Sequence, residues 1–323
     1  MTASSNTDHT DMIPRRERVC LACLCDPCEC AGGGVNIAAP IEAPGARILK
    51  VTLDEYHADP CMVPSLNQSI AHTLVTRSPA HAWCEHPKLG DLPPEPTKAK
   101  DDGAVIHALL LGKGADVDVL DCDSFRTKAA RTIRDEAIEA GRVPMLRKRY
   151  EQIVEAAARI RANLAGFGVS LEGEHELPIE WHEPGDEGYV VCRGLLDTVR
   201  LDAGVIVDVK KIVSADPRTC ARHAYEYGYD IQAAAYTSAL QKLRPELAGR
   251  SDFIFVFMEL EPPYAVVPCR PSGVLRELGE RRWQRAVLTW ERCLRDGYWP
   301  SYTETITQLD APPWALTQEE MYG

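Results

Sequence analysis

Apolar residues along this chain follow two textures, and the change comes after Gly166. Before it they recur at helical spacing, which predicts helices over Asn67–Arg77, Asp102–Leu111, Ser124–Ala140 and Pro144–Leu164. Ser78-Pro79 closes the first, Gly112 and Gly114 the second, and Gly141 separates the last two. Pro144 is expected in a first helical turn, with Ile153, Ala156, Ala157 and Ile160 on one face. After Gly166 the pattern turns to runs rich in Val, Ile, Leu and aromatics: Leu177–Trp181, Tyr189–Leu201 and Val205–Ile212, with Asp202-Ala203-Gly204 as a hairpin turn. A helix over Pro217–Lys242, strands at Phe253–Glu259 and Tyr264–Pro268, and a helix over Gly273–Asp296 complete the series. That order predicts an α/β or α+β core built on one mixed sheet. Residues 86–102 read as a Pro-rich loop. Residues 1–45, with the AGGG run at 31–34, read as a disordered tail, and 46–323 as the folded domain.

Composition places the chain among globular enzymes: 323 residues, 45% hydrophobic and 26% charged. The longest apolar runs, Ala108–Leu111 and Phe253–Met258, are too short to span a bilayer. No apolar secretory segment opens the chain, so a cytoplasmic protein without a membrane partner is expected. The formal net charge of -12 argues at first sight against nucleic acid, since DNA affinity comes largely from neutralising phosphates. Residues 126–149 change that picture, because eight basic side chains, among them Arg147, Lys148 and Arg149, face three acidic ones. They form either a DNA-binding surface or an ordinary solvated helix face.

Candidate chemistry lies in Gly194-Leu195-Leu196-Asp197 and Val205-Ile206-Val207-Asp208-Val209-Lys210. On a strand, Asp208 and Lys210 point to one face while Val205, Val207 and Val209 point to the other. A charged pair in an otherwise apolar strand is unusual unless it is used. Asp197, on the preceding strand, is near enough to share a metal with Asp208, and carboxylates suit Mg²⁺ or Mn²⁺. A lysine nearby can position or deprotonate water and stabilise charge on a phosphate. Asp-x-Lys by itself is a weak motif, and a surface hairpin with ordinary charges would show it too. Gln232 and Tyr236 share one face of the following helix. His107 is a polar residue inside an apolar helix, more often a satisfied core group than a ligand. Glu176 opens the strand before the hairpin and offers another oxygen, with Glu180 as its competitor.

Taken in order, these pieces resemble the YqaJ/RecE branch of the PD-(D/E)XK nucleases, the viral-recombinase exonucleases. The resemblance spans most of residues 65–302: Arg77-Ser-Pro-Ala-His81, the Gly103…His107 helix, Glu176 before Trp181, Asp197, Asp208-Val-Lys210, Gly228-Tyr-Asp-Ile-Gln232-Ala-Ala-Ala-Tyr236 and Gly297-Tyr-Trp-Pro-Ser-Tyr302. It implies a restriction-endonuclease-like core with a central mixed sheet flanked by helices. It implies His107, Asp197, Asp208 and the Val209 carbonyl as metal ligands, Glu176 as support, and Lys210 as the catalytic lysine. Gln232 and Tyr236 would line the DNA-binding side. The implied activity is Mg²⁺-dependent exonucleolytic hydrolysis of linear duplex DNA, 5′ to 3′, for single-strand-annealing recombination. The implied partners are double-stranded DNA ends, a single-strand annealing protein, and further copies of the chain in a ring. Two positions depart from the pattern: Leu196 replaces the usual Pro, and Lys211 a frequent Thr. Neither removes a chemical group.

Five of the twelve cysteines stand apart as Cys20-x-x-Cys23-x-Cys25-x-x-Cys28-x-Cys30. Such dense thiolates suit Zn²⁺, although one residue between the two CxxC pairs strains a single tetrahedral site, and a reduced tail is the alternative. Two other functions stay open on these residues: a Cas4-like or endonucleolytic enzyme of the same superfamily, and a non-catalytic DNA-binding protein working through the cysteine cluster.

Overall fold

The computed structural model describes residues 45–90 and 98–322, so the expectations for the tail and its five cysteines lie outside the described residues. A six-stranded mixed sheet forms the centre, in the order β1 (Ala46–Ile48), β4 (Glu174–Pro184), β5 (Tyr189–Arg200), β6 (Val205–Lys211), β7 (Asp252–Met258), β8 (Val266–Cys269). All its pairings are antiparallel except β6 with β7. A parallel neighbour needs a crossover, supplied by α7 (Pro217–Glu226) and α8 (Tyr229–Leu243).

Strand β7 is apolar at nearly every position because both its faces are covered. Phe253, Phe255 and Phe257 join a core under α2 (Gln68–Thr76), α8 and α9 (Gly273–Asp296). Ile254, Val256 and Met258 join a second core under α4 (Lys98–Leu111) and α6 (Arg147–Gly166). Short elements complete the chain: α1 (Leu53–His57), α3 (Pro79–Glu85), β2 (Val117–Leu120), α5 (Lys128–Glu139), β3 (Val143–Leu146) and α10 (Pro313–Tyr322).

Three sequence expectations are corrected. Pro144 does not open a helix; it sits in β3, which pairs in parallel with β2 in a separate two-stranded sheet, and α6 starts three residues later. In a two-stranded sheet every strand is an edge, where a missing N–H is tolerated. The helix expected over Pro217–Lys242 is two helices, broken at Gly228, whose φ of 69° needs no Cβ. The helix expected from Asp102 already begins at Lys98. Among the described residues no helix is long and apolar enough to cross a membrane.

Candidate active site

Strand β6 alternates as its sequence requires: Val207 and Val209 pack under α4 and α6, while Ile206 packs under α8 and Asp208 turns toward that helix. Asp208 is wholly buried. Its Oδ1 accepts a 2.6 Å hydrogen bond from Gln232 Nε2, and its Oδ2 lies 2.5 Å from Lys210 Nζ in an ion pair.

Strands β5 and β6 are paired from Arg200–Val205 to Thr198–Val207, and there the ladder ends. Asp197 stands at this fork, and its Oδ2 accepts from the Val209 N–H at 2.9 Å. The carboxylate thus replaces the backbone acceptor that a continued ladder would supply. On its other side, the β4–β5 register runs His175–Thr198 then Leu177–Leu196, so Glu176 faces Asp197. Glu176 has a φ of 48°, a left-handed conformation that costs a non-glycine residue energy and often marks a functional site. Two carboxylates facing each other across a ladder repel. His107 of α4 lies between them, with Nδ1 3.0 Å from Glu176 Oε1 and Nε2 2.7 Å from Asp197 Oδ2.

The charges are interdependent. Burial works against a charged His107, but Asp197 and Glu176 outweigh it and raise the imidazole pKa to about 10. Burial likewise opposes ionisation of Asp197, yet His107 and Lys210 bring its pKa below the usual carboxylate value. Asp208 goes the other way, to about 7, because burial is reinforced by the negative charge of Asp197 and only partly offset by Lys210. Lys210 is buried too, but Asp208 and Asp197 hold it firmly as an ammonium.

Among the described residues no three acidic, histidine or cysteine side chains converge as a ready-made metal site. The carboxylates are turned onto His107 and Lys210 instead. The donor set still fits a hard divalent cation. It offers the buried Asp208 carboxylate, the partly exposed Asp197, a facing glutamate and an imidazole.

The other expected residues divide. Gln232 and Tyr236 are buried: Gln232 holds Asp208 from below, and the Tyr236 ring crosses the face of β5 at Gly194. They support the site from within rather than offering a surface to DNA. Glu180, the competitor of Glu176, is bound by Arg47 of β1 at 2.9 and 3.0 Å, away from the fork. Among the described residues, four of the eight basic side chains in the stretch are ion-paired. Arg134 pairs with Asp135, Arg142 with Asp118, Arg147 with Asp121, and Arg149 with Asp102 and Glu261. Most of these carboxylates lie outside residues 126–149, which is why a local charge count missed them. Lys148 is exposed. Sequence reasoning also passed over Tyr229, whose ring centroid lies 4.8 Å from Lys210 Nζ. Its signal was present: it follows the Gly228 break directly and precedes Gln232 by three residues.

The profile of a family described as a PDDEXK-like domain of unknown function (DUF3799) matches residues 73–311. Among solved structures, a candidate exonuclease from Eubacterium rectale has a similar fold, with a TM-score of 0.54 at 13% identity over 83% of this chain and 98% of its own. A phage-related exonuclease from Haemophilus somnus 129PT aligns over 74% of this chain and 98% of its own at 13% identity, with a TM-score of 0.31, too low to carry an argument. None of the curated proteins matches the chain.

Proposed function

The chain belongs to the PDDEXK-like family DUF3799, and from that membership we propose that it is a divalent-metal-dependent deoxyribonuclease that digests linear duplex DNA from its ends. The observation that carries this reading is the fork between β5 and β6. There the chain places Asp197, Asp208 and Lys210 together, with Asp208 fully buried and ion-paired to Lys210. Asp197, Asp208, His107 and the Val209 carbonyl are the groups that would hold Mg²⁺ or Mn²⁺. When bound, the cation offsets the negative charge that builds on the scissile phosphate. Lys210, beside its two carboxylates, is suited to orient a water and to hydrogen-bond a phosphate oxygen. Glu176 keeps His107 oriented through Nδ1, leaving Nε2 toward Asp197.

Action from DNA ends, the 5′ to 3′ direction, the ring of copies and an annealing partner are supported by the resemblance of the motifs to viral-recombinase exonucleases. The exonuclease designation of the Eubacterium rectale protein agrees with action at ends. The test is digestion of end-labelled linear DNA beside covalently closed circles, with Mg²⁺ and with EDTA. Linear DNA should be degraded and circles spared, EDTA should stop the reaction, and Lys210→Ala should remove cleavage while still folding, as read by circular dichroism. Cleavage by Lys210→Ala at the wild-type rate would refute the site, and efficient cutting of circles would mean an endonuclease.

A further inference from the structure

A row of aromatic rings leads out of the candidate site along the α7–α8 junction. The Lys210 ammonium lies 4.8 Å from the Tyr229 centroid. Tyr229 stacks on Tyr227, with centroids 6.0 Å apart and planes inclined by 27°. Tyr227 keeps 53% of its surface in solvent, as does Tyr225 two residues before it in the chain. Single exposed apolar residues are ordinary. Half-exposed Tyr227, stacked on Tyr229 and through it reaching the partly exposed Lys210, forms a surface continuous with the site.

This surface is held in place. Gly228 has a left-handed φ of 69°, and a Cβ there would stand 2.6 Å from the His72 ring. Gln68 Nε2 donates to the Tyr227 and Gly228 carbonyls at 3.3 and 3.1 Å. Buried Arg282 donates to both Asp230 carboxylate oxygens at 2.7 Å and to the Tyr225 carbonyl at 3.3 Å. Its guanidinium lies 4.6 Å from the Tyr225 ring. Further along α7, Arg218 and Arg222 fall on the same helical face as Tyr225, at i, i+4 and i+7. Their side chains are 94% and 63% exposed, with Asp216 and Glu226 at 3.4 and 3.7 Å. Such exposed pairs exchange readily for another anion.

We infer that Tyr227 forms a stacking platform for an unpaired base of one DNA strand whose phosphate is presented to Lys210. The inference rests on the nuclease reading above. Every nucleobase has a π-face, so a flat, preorganised tyrosine binds a single strand with little sequence preference, and neighbouring arginines meet its phosphates. Bases inside an intact duplex cannot reach such a platform. It therefore favours a strand already frayed from its complement.

The experiment is a fluorescence titration of the full chain with a short single strand carrying 2-aminopurine near its end, in EDTA so that nothing is cut. Wild type should bind and quench the probe. Tyr227→Ala should bind about tenfold or more weakly and lose most of the quenching, because stacking on one aromatic contributes roughly that much. Tyr227→Phe should retain both. Unchanged melting curves separate lost stacking from lost folding. With Mg²⁺ and linear DNA, Tyr227→Ala should raise KM and leave kcat close to wild type. Equal binding and quenching by wild type and Tyr227→Ala would overturn the platform, as would failure of wild type to bind the single strand. The two readings fail separately. Tyr227-dependent quenching by a protein that cleaves nothing keeps the platform and removes the nuclease, whereas cleavage indifferent to Tyr227→Ala does the reverse.

Discussion

Asp208 is a carboxylate taken wholly out of water, and one amide and one ammonium hold it. A buried acceptor that loses its donor costs the full desolvation of the group, roughly 1–3 kcal/mol. Gln232→Leu keeps much of the side chain's volume but removes that donor. It should lower kcat on linear DNA by about 10–100-fold, the usual effect of losing a group that orients a metal ligand. DNA affinity in EDTA should stay within about a factor of two of wild type, because Gln232 is buried and faces Asp208 rather than solvent. Turnover at the wild-type level would show that Asp208 does not depend on this amide.

At the level of elements, the site depends on where α8 is held, since α8 supplies both Gln232 and Tyr229. Helix α9 packs on α8 at Gly279, where an added Cβ would stand 2.2 Å from the Asp230 carbonyl oxygen. Backbone cannot yield there as the tip of a flexible side chain could, so the two helices must separate. Gly279→Ala should destabilise the protein by about 2 kcal/mol or more, read as a lower urea midpoint at unchanged slope. A midpoint equal to wild type would mean that the crossing adapts. The same reasoning explains why the helix expected over Pro217–Lys242 had to break: the turn at Gly228 sends α8 back over the sheet, with Tyr229 against Lys210.

Across the molecule, the segment from β1 to α2 is anchored by a buried polar cluster far in sequence from what it touches. Asp59 accepts from Ser65 N at 2.9 Å and Ser65 Oγ at 2.8 Å, and pairs with His86 at 3.2 Å and Arg193 of β5 at 3.3 Å. Burial pushes the Asp59 pKa up, but His86, Arg193 and Ser65 more than offset it and bring it to about 2. The folded pKa is depressed below the unfolded value, so this stabilisation is complete above about pH 4 and disappears as pH falls through 2. It amounts to ~2 kcal/mol. Urea melts of wild type should therefore lose more stability between pH 4 and pH 2 than melts of Asp59→Asn, which starts lower. Parallel loss in both proteins would refute the assignment. At the same scale, Arg142, Arg147 and Arg149 pair with carboxylates distant in sequence.

The sequence alone determined the mixed sheet, the β4–β5–β6 meander, and the grouping of Asp197, Asp208 and Lys210. These follow from period-two alternation and a short hairpin turn, which act over a few residues. It also singled out His107 and Glu176, whose positions the structure joins at 2.7 and 3.0 Å through one imidazole. Tertiary structure alone decided the rest. Pro144 entered a strand because β2 lay beside it, a pairing that no local pattern announces. Glu176, not Glu180, reached the site because the β4–β5 register sets Glu176 across from Asp197 and Glu180 across from Arg193. Gln232 turned inward to Asp208, and the basic stretch met acids from elsewhere in the chain. In each case the deciding term is a contact between residues distant in sequence. Burial and charge pairing depend on which surfaces meet, and local periodicity does not contain that information.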